Sequence, residues 1–241
     1  MRNSVLLLIL TTIGAFSYGQ RNELTTEVGT IESERIAATK NENQQRLLIH
    51  DIEKASGHRY IYTDTTYAAA TGKGITIQNS YPKGGMIAPD GTQYISATGK
   101  RYAFVVLWTR IINETTTPIT LAINFPADSF PIFTPTDSYL KLLLPTDTMT
   151  VDKLSSFNYG LTELQSYLDT NLHKITTLQK TINPNEEHIF YVAALSYKAS
   201  GTVRAGLFLK EQDLYYGMSI APHGQGVIPC GQLVFKNEAG Q

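Results

Sequence analysis

From residue 60 onward, apolar and polar positions alternate along much of the chain. A period of two marks strands that bury one face. Ile119, Leu121, Ile123 and Phe125 interleave with Thr120, Ala122 and Asn124. Val203, Ala205, Leu207 and Leu209 repeat the pattern further on. Residues 101–112 differ, because Phe104, Val106 and Trp108 point one way while Val105 and Leu107 point the other. A strand apolar on both faces is predicted to lie centrally in its sheet. Residues 189–195 read as a second core strand. Shorter strands are predicted at 74–79, 139–144, 175–182, 213–218 and 227–235. Pro89-Asp90-Gly91 and Pro184-Asn185-Glu186-Glu187 supply turn chemistry, and Asn113-Glu114-Thr115-Thr116-Thr117-Pro118 reads as a tight polar connection. Pro126, Pro131, Pro135 and Pro145 break any long element between them.

The period changes near residue 151. Leu154, Phe157, Leu161, Leu164, Leu168 and Leu172 recur at spacings of three and four. That predicts one amphipathic helix over 151–173, with Thr150 or Asp152 as its N-cap. Gly160 within it costs about 1 kcal/mol against alanine. Residues 20–57 are polar, with a thin apolar stripe of Ile31, Ile36, Leu47, Leu48, Ile49 and Ile52, and read as a helical N-terminal extension. The expected fold is mainly β: a β-sandwich domain over 58–241, with one inserted amphipathic helix near 151–173. No linker rich in Gly, Ser or Pro divides that domain.

Trp108 runs through the polar turn at Asn113 into the strand ending at Phe125, and Ile182-Asn183-Pro184 leads into the strand at Val192. In outline these two stretches are similar to bacterial immunoglobulin-like domains. There a buried aromatic strand enters an Asn-containing turn, and a later strand starts after Pro-Xaa-Glu. The resemblance implies an immunoglobulin-like sandwich and nothing about activity, since such sandwiches host many roles. The helix near 151–173 departs from that pattern.

Residues 1–19 read as a secretory signal peptide. Arg2 gives a positive start, residues 5–16 are apolar, and Ser17 and Gly19 are the small residues of a cleavage site. The apolar run is too short for a membrane anchor, and no later stretch approaches the roughly 20 residues that span a bilayer. The chain is therefore expected to be secreted or periplasmic. Its single cysteine, Cys230, forms no intrachain disulfide, so the domain must stand on its core alone. The short leader and the lack of disulfides point to a bacterial source. A net charge of −1, with no run of five or more like charges, lacks the footprint of a nucleic-acid binder.

Candidate chemistry is sparse. Cys230 and His223 are the only nucleophile and base close in sequence, and a free cysteine in a strand is ordinarily a small buried hydrophobe. His50, His58, His173, His188 and His223 show no paired ligand spacing, so no metal site is expected. Asp128, Asp137, Asp147, Asp152 and Asp169 are scattered, and the segment 147–152 lacks the alternation and glycine of a calcium loop. Gly72-Lys73-Gly74 and Lys83-Gly84-Gly85 read as turns rather than phosphate loops. Asn113-Glu114-Thr115 fits the glycosylation pattern and marks a surface turn. No catalytic residue and no cofactor is expected.

Tyrosine is over-represented, with 14 residues. Tyr60, Tyr62, Tyr67, Tyr81, Tyr94, Tyr215 and Tyr216 form a candidate binding surface, because a tyrosine offers an apolar face and a hydroxyl together. Completion of cross-strand pairs on a sheet surface is the plainer account of them. The leading expectation is a non-enzymatic interaction protein of the bacterial envelope, with another envelope protein or a glycan as partner. The alternative is a polysaccharide hydrolase or lyase with a cleft on the sheet face, which would need two carboxylates held across that cleft.

Overall fold

A computed structural model describes residues 59–69, 72–131 and 138–235. These belong to one unit, His58–Gln241. The expected signal peptide and helical extension lie outside the described residues.

Among the described residues, eleven strands form two antiparallel sheets. They are β1 (Ile61–Ala69), β2 (Gly72–Ser80), β3 (Lys83–Gly84), β4 (Ala103–Asn113), β5 (Ile119–Phe125) and β6 (Tyr139–Leu143). After the α-helix of the described residues, α1 (Leu164–Asn171), come β7 (Thr176–Ile182), β8 (Glu187–Tyr197), β9 (Thr202–Lys210), β10 (Asp213–Ala221) and β11 (Gly224–Phe235). The first sheet runs β1-β2-β4-β8-β6, with β3 also paired to β4, and the second runs β7-β5-β11-β10-β9. The two-faced strands sit where their composition puts them. β4 pairs with β2 on one side and β8 on the other, in register from Ala103↔Ser196 to Ile112↔Glu187.

Each face of the first sheet buries a different core. Leu107 and Ile111 of β4, with Phe190, Val192 and Ala194 of β8, meet the second sheet's Leu121, Ile123, Leu207, Leu214 and Leu233. The opposite face carries Phe104, Val106, Trp108, Tyr191 and Leu195. Tyr94, Tyr102, Met149, Tyr159, Leu161, Leu164 and Leu168 cover it from above. The described residues thus form a sandwich with a third layer of loops and one short helix over its first sheet.

The helix expected over 151–173 is broken. A 3-10 turn at Val151–Lys153 and another at Phe157–Gly160 precede the eight-residue α1. Asn158, Tyr159 and Gly160 have φ of 44°, 55° and 72°, and Glu163 has φ 52°. Left-handed residues end a right-handed helix. The wedge that holds them there is tertiary. Tyr159 is 1% exposed and meets Trp108 edge-on, with ring centroids 6.5 Å apart. Asn158 Nδ2 donates to the Met86 carbonyl at 2.9 Å. The leucine spacing still marked the buried face, since Leu161, Leu164, Leu168 and Leu172 are buried, but Phe157 is exposed. Neither Thr150 nor Glu163, the residues preceding the first turn and α1, makes a side-chain cap.

Side chains lace the two sheets together along both flanks. On the β1/β9 flank, buried Asn79 uses its whole hydrogen-bonding capacity. Its Nδ2 donates to Thr63 Oγ1 and the Leu207 carbonyl, each at 2.9 Å. Its Oδ1 accepts from Thr109 Oγ1 at 2.9 Å and Leu207 N–H at 2.8 Å. One amide thus plays the part of a neighbouring strand for β9. Gly206 makes room for it: a Cβ there would sit 2.8 Å from the Asn79 side chain. Tyr67 Oη accepts the Leu209 N–H at 3.0 Å just beyond.

On the other flank the ammonium of Lys141, a fully buried side chain, meets three carbonyls. They are Pro126 at 2.5 Å, Ala127 at 2.8 Å and Lys174 at 3.0 Å. Three donors meeting three acceptors is what makes a buried lysine tolerable, and burial lowers its pKa. Across four strands of the first sheet, Asp64, Gln78, Arg110 and Glu187 form a hydrogen-bonded chain that ends in an Arg110–Glu187 ion pair at 2.7 Å.

Candidate functional site

At the end of the sandwich where β4, β6 and β9 begin, the two sheets do not fill the space between them. A cleft of about 430 Å³ opens there. Ala103, Val105, Leu140 and Ala194 form one wall, and Val203, Met218 and Ile220 the other. Gly84, Gly85, Ser200, Gly201 and Thr202 form the mouth. The void follows from residue size, since alanine and glycine stand where isoleucine and leucine pack the rest of the interface. Gly201 is required as such, because a Cβ there would lie 2.0 Å from the Ala221 carbonyl oxygen. The wall's polar group is satisfied internally, with Ser196 Oγ donating to the Ala199 carbonyl.

Arg204 of β9 is the one charged residue lining the cleft. Its guanidinium lies 5.7 Å from the Tyr62 ring centroid and 5.2 Å from that of Tyr81. Those two rings are 5.6 Å apart and tilted by 54°. Arg204 Nη1 also donates to the Val203 carbonyl at 2.8 Å. Aromatic faces hold a guanidinium through the ring quadrupole. No carboxylate among the described residues pairs with Arg204.

The seven candidate tyrosines separate. Tyr62 and Tyr81 are exposed, at 38% and 37%, and meet at Arg204. Tyr60 is half-buried beside Arg59 and Lys83. Tyr67 packs against the inter-sheet core. Tyr215 stacks on its cross-strand partner Phe208, centroids 5.7 Å apart, on the outer face of the second sheet. Tyr94 and Tyr216 leave the surface set, since both are fully buried. Burial, and then the hydrogen bond its hydroxyl donates to Asp169 at 3.0 Å, raises the pKa of Tyr94.

The remaining candidate groups do not converge. Cys230 is buried, and its thiol, 3.4 Å from the Leu214 carbonyl, is pushed up to about 12 by burial. His223 sits half-buried at the β10–β11 turn, beside the Ser200 carbonyl. At about 3.3 Å per residue the strand puts about 20 Å between them. No group of three or more His, Cys, Asp or Glu among the described residues could hold a metal, and no described helix is long and apolar enough to cross a membrane. Asn113 is a correction: it is 0% exposed, so it marks no surface turn. Its Nδ2 donates to the carbonyls of Thr117 and Ile182, and its Oδ1 accepts from Thr115. Gly72-Lys73-Gly74 opens β2 and Lys83-Gly84 is β3, so neither is a plain turn.

Sequence reasoning missed Arg204 and the cleft. Arg204 occupies an outward position of an alternating strand, which reads as solvated. The run Ala199-Ser200-Gly201-Thr202 was the available signal, a cluster of small residues opening a strand. No protein-family model matches the chain, and no curated protein does.

Proposed function

We propose that this chain is a non-enzymatic binding protein, secreted or periplasmic by its leader, whose ligand site is the end cleft. The observation that carries the reading is the cleft itself, an apolar space of about 430 Å³ with Arg204 as the charged residue of its lining. That volume falls within the roughly 300–1,000 Å³ of small-molecule sites. The residues lining the cleft include no Asp, Glu, His or Cys. The polysaccharide-cleaving alternative would need a carboxylate pair there, so binding is the favoured reading.

The immunoglobulin-like resemblance stands as a proposal about fold. It is supported by the way its two stretches meet at buried Asn113. That residue joins the β4–β5 connection to Ile182, and its backbone exchanges hydrogen bonds with Asn185 and Glu186.

The test uses the neutral apolar dye N-phenyl-1-naphthylamine. The full chain is expected to bind it saturably at one site, and Thr202→Trp, an exposed substitution at the mouth, is expected to abolish that binding. Absence of saturable binding, or indifference to Thr202→Trp, would overturn the reading.

A further inference from the structure

The walls of the cleft and its mouth ask for different chemistry. Val105, Leu140, Val203, Met218 and Ile220 offer hydrocarbon, and the wall hydroxyl of Ser196 is already donated to a backbone carbonyl. A peptide threaded along these walls would leave its amides without partners, at a desolvation penalty. An unbranched or aromatic hydrocarbon carries no such penalty. Arg204 then supplies the only charge.

We infer that the cleft takes an amphipathic monocarboxylate, with its apolar body between the sheets and its carboxylate on the Arg204 guanidinium. The inference rests on the cleft being the binding site. Arginine ordinarily loses rotamer freedom when it captures a ligand. Here the Tyr62 and Tyr81 rings and the Val203 carbonyl already hold it. A guanidinium has five N–H donors in a planar fork that matches two carboxylate oxygens. One of them is engaged with Val203, which leaves others for a ligand. A phosphate head group carries more charge than one arginine neutralises, and the cleft lining holds no second cation, so a single negative charge is the better match.

Displacement of N-phenyl-1-naphthylamine from the full chain decides the matter. Decanoate is expected to displace the dye at a concentration at least about tenfold below that of decanol. Arg204→Gln should erase that advantage, so that decanoate and decanol displace the dye at similar concentrations. Equal displacement by decanol and decanoate, with dye binding still blocked by Thr202→Trp, would overturn the carboxylate and leave the binding site standing. An advantage of decanoate that survives Arg204→Gln would do the same. Tighter binding of decyl phosphate than of decanoate would overturn the monocarboxylate choice. Failure of the dye to bind at all would overturn site and ligand together.

Discussion

The two faces of the first sheet bury themselves by different chemistry. Between the sheets the core is almost entirely aliphatic, with Phe125, Phe190 and Tyr216 as its aromatic members. On the outer face Tyr94, Tyr102, Trp108, Tyr159 and Tyr191 dominate. The difference follows from what covers each face. A second sheet satisfies its own backbone through its ladder, so only hydrocarbon is needed opposite it. Loops and 3-10 turns bring backbone groups that no ladder satisfies, and a buried group of that kind needs a partner. Tyrosine fills volume and brings a hydroxyl to those groups. Tyr159 donates to the Tyr81 carbonyl at 2.6 Å and Tyr191 to the Tyr159 carbonyl at 2.7 Å. Tyr102 and Tyr139 pair their hydroxyls at 3.2 Å. Tyr216 lies in the aliphatic core, and its hydroxyl has no partner among the described residues.

The largest expected effect probes the outer core's volume. Trp108→Ala should destabilise by about 3–5 kcal/mol, read by urea unfolding. A loss under about 1 kcal/mol would mean the tyrosine-rich layer does not pack on β4. A smaller effect sharpens the contrast in hydroxyls. Tyr191→Phe should cost about 1–3 kcal/mol, because it strands the Tyr159 carbonyl. Tyr216→Phe should be neutral within about 0.5 kcal/mol or stabilising, because its hydroxyl satisfies nothing. Equal losses for the two would erase the distinction between the cores.

The third prediction concerns pH. His188 lies beside Phe190, rings 5.9 Å apart, and its Nε2 is buried with no hydrogen-bond partner among the described residues. Burial, and then the charge of Lys180, lowers its pKa. The unfolded chain therefore takes up a proton that folded His188 resists. Stability is complete above the ordinary histidine pKa of about 6.5 and falls as pH drops below it. His188→Phe should flatten that acid limb in unfolding curves recorded from pH 7 to 5, and an unchanged slope would mean His188 does not set it. The smallest signal is an absence. With its pKa at about 12 and its side chain buried, Cys230 should not react with a thiol reagent at pH 8 until the protein unfolds. Rapid labelling of the native protein would show the aliphatic core to be open there.

Legibility in the sequence tracked how local the cause was. β4 could be read because both its faces are apolar, and β5 because Ile119, Leu121, Ile123 and Phe125 alternate cleanly. Turns with their own side-chain chemistry were equally plain, such as Asp90 accepting from the Thr92 N–H at 2.9 Å. The helix was misread because leucine spacing reports a buried face and not the backbone that presents it. Only the contact of Tyr159 with Trp108 and Tyr81 explains the left-handed run. The tyrosines were noticed as a group, but which of them are buried depends on loops distant in sequence. Asn113 looked like a surface acceptor because its deepest partner, Ile182, is remote along the chain. Arg204 gave no signal, because its meaning comes from Tyr62 and Tyr81 on the other sheet.

The amide of Asn79 has a consequence beyond holding two sheets together. Fibres and swapped dimers grow when an incoming strand finds unmet N–H and C=O groups along a sheet margin. At Leu207 both groups are already met from within the same chain, and at Leu209 the N–H is met by Tyr67. At the opposite margin exposed Lys180 of β7 shares a strand face with the buried Thr176 and Ile182, which sets a charge beside that edge. A chain that folds among many copies of itself gains where a stretch of sheet margin is already met from within. Gly206, which admits the Asn79 side chain, thereby becomes a guard against polymer growth as well as a fitting in the seam.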